Sequence, residues 1–307
     1  MDKKTTLVLK GIASFMILMY HLNVRNIFSS FGGYFGVGIF YFFSGYNLAY
    51  CTINRDDYTK KFWEKKFLRI FIPFYILYVI YQVVLHKKFT VFILYHFVYP
   101  NFYCNYLWYV KCLIYLYIIY YIVYKIMRKI NHVNYTVLGI VVWMVGGICM
   151  IPMNDDPNHI FPLAFIVGWM VAIHNDKLIN VFRKNYFIMI FIVSMIALTL
   201  YLSFNRLNNI TLYVIGQYFA PCFCGLLCYS IATSWKIHNN ALVFLGVISY
   251  EIYMTHPVFL RLCEYNNIVM PMYIVVMLVG SYISAIILHW ITYNVFDKYF
   301  KRLLKYE

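Results

Sequence analysis

Ten apolar stretches, each near the length that crosses a bilayer as a helix, constrain this chain more than any other feature. They lie near 7–22, 34–53, 70–85, 106–124, 135–152, 158–174, 185–204, 210–232, 242–262 and 270–294. Within hydrocarbon, main-chain N–H and C=O groups must be satisfied inside the segment, so helices are the expected solution. Composition points the same way. Apolar residues make up 63% of the 307 and charged residues only 12%, too few to cover a soluble domain. The expected fold class is all-α: a single membrane domain over residues 1–307, a polytopic bundle of about ten transmembrane helices. The remaining loops are too short for an extramembrane domain, so any chemistry is expected inside the bundle. The segment 89–99 is too short to span and is expected to be re-entrant or interfacial.

A net charge of +15 would raise the question of nucleic acid in a soluble protein. Here Lys and Arg flank the apolar stretches, where they set topology and meet anionic headgroups. Counted over alternate loops they divide 20 to 6, which predicts both termini in the cytoplasm and an even number of spans. The first stretch has a basic start, but Lys10 interrupts it and no small-residue cleavage site follows His21, so a retained helix is expected. The eight cysteines sit mostly in apolar runs without paired CxxC motifs. Buried reduced thiols are expected, and no metal site. No internal repeat suggests the two halves of a transporter.

Ionisable groups within spans are costly and therefore mark candidate sites. Lys10 and His21 are 11 residues apart on the first helix, which places them about 20° apart around the axis and about 16 Å apart along it. Ser14 and Ile17 fall on the same stripe. Structural alternatives are a snorkelling Lys10 and an interfacial His21. In the ninth span Ser249, Tyr253 and His256 share a face, while Glu251 points elsewhere, closer to Thr255. Pro257 removes a main-chain hydrogen bond and predicts a kink just beyond His256. A hydrogen-bond network between helices is the alternative there. The loop before the third span is the most basic in the chain, and Lys65, Lys66 and Arg69 end at the mouth of that span. Besides fixing topology, these cations suit the phosphates of a cytosolic cofactor. His86, His96, His132, His159, His174, His238 and His289 are assigned no role.

Five strings, in order, resemble the acyltransferase type 3 family of bacterial inner-membrane proteins: LVLKGIASFMILMYHL, FGVGIFYFFSGYNLAY, KKFLRIFIPFY, LWYVKCLIYLY and ISYEIYMTHPVFL. Lys10 stands where the family usually has Arg, and the loop before the third span holds mostly Lys. Lys neutralises phosphate as a point charge without Arg's bidentate fork. The resemblance implies transfer of an acyl group, most often acetyl from cytosolic acetyl-CoA, onto a hydroxyl of a cell-surface glycan or its lipid-linked precursor. The location it implies is the bacterial plasma membrane. Some members carry a fused extracytoplasmic hydrolase-like domain; none is expected here. On this reading Lys10, Lys65, Lys66 and Arg69 bind the acyl-CoA phosphates. His21 takes the hydroxyl proton or carries the acyl group, and Ser44, Tyr46, Trp108, Tyr253, Glu251 and His256 support it or bind the acceptor. The competing expectation is a transporter of a lipid-linked glycan. Ten spans and many aromatic residues fit it equally, but it needs no phosphate-binding mouth in line with an intramembrane histidine.

Overall fold

The computed structural model describes residues 1–22, 27–55, 58–60, 62–84, 108–130, 133–151, 162–183, 185–204 and 210–296. The helices are α1 (Lys3–His21), α2 (Ile27–Asn54), α3 (Phe62–Lys66), α4 (Ile72–Val84), α5 (Trp108–Lys129), α6 (Tyr135–Met150) and α7 (Leu163–Ile173). They continue as α8 (Asn175–Phe182), α9 (Tyr186–Phe204), α10 (Ile210–Ser234), α11 (Asn240–Val247), α12 (Ser249–Tyr265) and α13 (Met272–Trp290). Widened π-helical turns at Phe67–Phe71 and Ile291–Phe296 join α3 to α4 and extend α13. Every expected apolar stretch carries a helix, and no strand occurs among the described residues. The expectation for 89–99 lies outside the described residues.

Three helices are long and apolar enough to cross a bilayer alone, and two bent pairs raise that number to five. One pair corrects the sequence expectation. The stretch 242–262 is two helices, α11 and α12, meeting at 68°. The bend falls at Ile248 rather than beyond His256, and α12 runs through Pro257 unbroken. The outer surface is what marks a membrane protein. On α9, Phe187 is 86% exposed and Ile190 62%; on α13, Val275, Val279, Ile283 and Ile287 face outward together. Contiguous apolar faces of this extent need lipid rather than water around them.

Helix α1 is the hub: α2, α10, α11 and α12 all pack on it. Asp2 caps its start, accepting from the Thr5 main-chain N–H and hydroxyl at 2.7 Å each. The main-chain bond holds the Asp2 carboxyl below its ordinary range. Asp2 N–H also reaches the Ala232 carbonyl at 2.8 Å, and the Thr5 hydroxyl the Trp235 carbonyl at 3.2 Å. The chain start and the loop after α10 therefore share one end of the bundle, in keeping with their common side in the charge pattern.

Close helix crossings depend on glycine. A Cβ on Gly45 of α2 would run into the Phe165 carbonyl, and one on Gly168 of α7 into the Phe42 carbonyl. The two backbones are thus in reciprocal contact, the small-residue solution to packing where lipid supplies no hydrophobic drive. Gly168→Val is expected to cost on the order of 3 kcal/mol through overpacking. The check is the melting point of the detergent-purified protein, against the lipid-facing control Ile283→Ala; equal melting of the two variants would refute the tight crossing.

Candidate active site

Two polar groups of residues lie at different levels along α1, one around Lys10 in its body and one at His21, its last residue. Lys10, the eighth residue of α1, extends over the Phe43 ring of α2, 5.6 Å from its centroid. Lys66, the last residue of α3, sits 3.8 Å above the Tyr117 ring of α5 and 5.5 Å from that of Phe62. Arg69 lies in the π-helical turn, exposed, with its guanidinium 5.7 Å from the Tyr293 ring. Pro73 lies four residues on from Arg69. It has no N–H for the Arg69 carbonyl, so the regular ladder cannot form there and the turn widens. Aromatic faces thus hold these cations without neutralising them. Lys65 belongs to α3, but its side chain lies outside the described residues.

His21 closes α1. Its ring stacks on that of His256 with centroids 4.9 Å apart and planes at 27°. Tyr20 meets its edge at 5.0 Å, and the Tyr273 hydroxyl donates to its main-chain carbonyl at 3.3 Å. The stripe between Lys10 and His21 faces the bundle interior as the spacing predicts, and Ser14 and Ile17 on it are buried. From His256 an aromatic chain runs inward. The Tyr253 ring lies 5.4 Å from His256 and 5.4 Å from the Tyr109 ring of α5. Tyr109 and the Ser44 hydroxyl share a hydrogen bond at 3.1 Å. Tyr41 connects Tyr109 to Trp108, with centroids 4.7 and 6.0 Å away. His21, His256, Tyr253, Ser44 and Trp108 are therefore one connected group.

Two expected members lie elsewhere. Tyr46 donates to the Asn175 side-chain oxygen at 2.7 Å, where Tyr229 also donates at 3.2 Å. It ties α2 to α8 and α10, since it is two residues beyond Ser44 on a helix and so faces another way. Glu251 shares a face with Thr255 as expected, but only its main-chain carbonyl bonds the Thr255 hydroxyl. Its carboxylate meets His289 of α13 at 2.9 Å. The sequence position of His289 gives it no role, yet its neighbour Tyr293, 4.2 Å away, is the ring under Arg69. Tyr109 also belongs to the connected group around His21; within the string LWYVKC its sequence position does not set it apart from the neighbouring aromatic residues. Lys111 is buried in α5.

An apolar recess of about 300 Å³ lies one residue from His256, between α4, α12 and α13, bounded by Leu77, Thr255, Phe259 and Ile287 among others. A family model described as an acyltransferase domain matches residues 8–290, nearly the whole chain. No curated protein and no solved structure matches it.

Proposed function

We propose, from the premise that this chain belongs to the acyltransferase family and is a membrane acyltransferase, that it moves acetyl from cytosolic acetyl-CoA to a glycan hydroxyl. The acceptor is a cell-surface polysaccharide or its lipid-linked precursor. The observation that carries this reading is the set of cations Lys10, Lys66 and Arg69 held over aromatic rings, with His21 at the far end of α1 stacked on His256. The adenosine phosphates rest on the three cations together with Lys65. The pantetheine arm extends along α1 and brings the thioester about 16 Å deeper, to His21. Because Ser14 and Ile17 fill the intervening stripe, entry of the arm requires α1 to shift against α2. The apolar recess beside Thr255 suits the hydrocarbon part of a lipid-linked acceptor.

In this reading the chain crosses the bacterial plasma membrane ten times with both termini cytoplasmic, as the 20-to-6 division of Lys and Arg favours. Five further segments complete the ten; among them α4, α6 and α7 are apolar but short, with 13, 16 and 11 helical residues. Purified protein in detergent is expected to release free CoA thiol from acetyl-CoA when glycan acceptor is added, with O-acetyl groups appearing on the acceptor by proton NMR. Movement of the glycan across vesicles without thiol release would replace this reading with the transporter.

A further inference from the structure

His256 has a tautomer dictated by its own helix. In an unbroken α-helix the N–H of residue 257 would bond the Tyr253 carbonyl. Pro257 has no N–H, so that carbonyl is left without its helical donor. His256 Nδ1 fills the gap, 2.6 Å from the Tyr253 oxygen. A carbonyl only accepts, so Nδ1 carries the proton and the lone pair of the neutral ring resides on Nε2. This bond also satisfies the carbonyl where a Pro kink would otherwise open the helix.

Nε2 is the unusual atom. His256 is fully buried, and Nε2 has no hydrogen-bond partner among the described residues. A buried acceptor without a donor costs about 1–3 kcal/mol, which is the signature of a group waiting for a ligand. The His21 ring is no such donor. Rings stacked face to face at 4.9 Å and 27° do not share an in-plane N–H···N bond. His256 therefore does not orient His21 as a triad carboxylate would; it presents a second basic nitrogen beside it.

Resting on the proposed acyltransferase reading, we infer that His256 Nε2 is the base that takes the proton from the acceptor hydroxyl, leaving His21 to carry the acyl group. In the first step a ring nitrogen of His21 attacks the thioester carbon and the C–S bond breaks. The thiolate takes the proton from the other His21 nitrogen, giving free CoA thiol. In the second step the hydroxyl oxygen bonds to the acyl carbon while its proton passes to His256 Nε2. The C–N bond to His21 breaks, and the proton held by His256 returns to the departing ring through solvent, since the stacked rings do not share it directly. Only one imidazolium exists at any moment, which suits two rings this close in an apolar setting.

The test separates the half-reactions. His256→Gln supplies an amide near the Nε2 position that can accept a hydrogen bond but cannot take a proton. With radiolabelled acetyl-CoA and no acceptor, this variant is expected to release about one equivalent of CoA thiol and to hold label on His21, as the wild type does. With acceptor, its turnover is expected to fall by about 100-fold or more, with the acetyl-CoA KM within about threefold of wild type. His256→Asn, which keeps the N–H toward Tyr253, is the second variant and should behave alike if the Gln variant fails to fold. Turnover above about a tenth of wild type would overturn the inference. So would loss of the CoA burst in a folded variant, which would assign His256 to the donor step. A wild type that never releases CoA thiol would instead refute the acyltransferase reading itself.

Discussion

His21→Ala is expected to abolish acyl transfer, lowering turnover by about 100- to 10,000-fold, while expression and membrane insertion stay unchanged. The fold should tolerate the change because His21 is the last residue of α1, and the bond it accepts from Tyr273 of α13 uses the main-chain carbonyl, which alanine retains. The chemistry should not tolerate it. His21 is the only imidazole that α1 carries, it is stacked on His256, and it lies on the stripe that begins at Lys10. His21→Ala and His256→Gln should also differ in kind. The former loses both the acceptor-independent CoA burst and the covalent label, whereas the latter keeps them. Mass spectrometry of a trapped sample locates the label. Turnover above about a tenth of wild type in His21→Ala would remove this histidine from the mechanism.

The second large effect concerns sidedness. CoA is polyanionic, so only the face bearing Lys10, Lys65, Lys66 and Arg69 should accept it. Inverted vesicles are expected to convert labelled acetyl-CoA, and sealed right-side-out vesicles to leave it untouched until permeabilised. Equal labelling from both faces would refute the orientation drawn from the charge pattern. Neutralising Lys65, Lys66 and Arg69 together should raise the acetyl-CoA KM strongly with little change in kcat, because phosphate contacts remote from the thioester contribute uniform binding. Added salt should reproduce part of that rise by screening the exposed Arg69, and less of it for Lys66, which is enclosed by the rings of Tyr117 and Phe62. Lys10→Arg should preserve or improve the KM and Lys10→Ala should weaken it; equal values for the two would leave Lys10 a topology anchor.

Much of this molecule follows from the order of its residues. Each long apolar run becomes helix because the segment must satisfy its own main-chain groups, and no tertiary partner is needed to decide that. The helical repeat sets Lys10, Ser14, Ile17 and His21 in one inward stripe. Even the His256 tautomer is written locally, since Pro257 leaves the Tyr253 carbonyl to be filled by the neighbouring ring. What periodicity cannot convey is which helix a face will meet. Ser44 and Tyr46 look alike as polar positions on α2, yet one joins Tyr109 and the other Asn175. Glu251 finds His289, and His21 finds His256, only because α12 packs against both α13 and α1. Those pairings depend on how close the backbones come. Close approach is set where glycines on two helices coincide, as Gly45 and Gly168 do, a three-dimensional match that neither segment specifies alone.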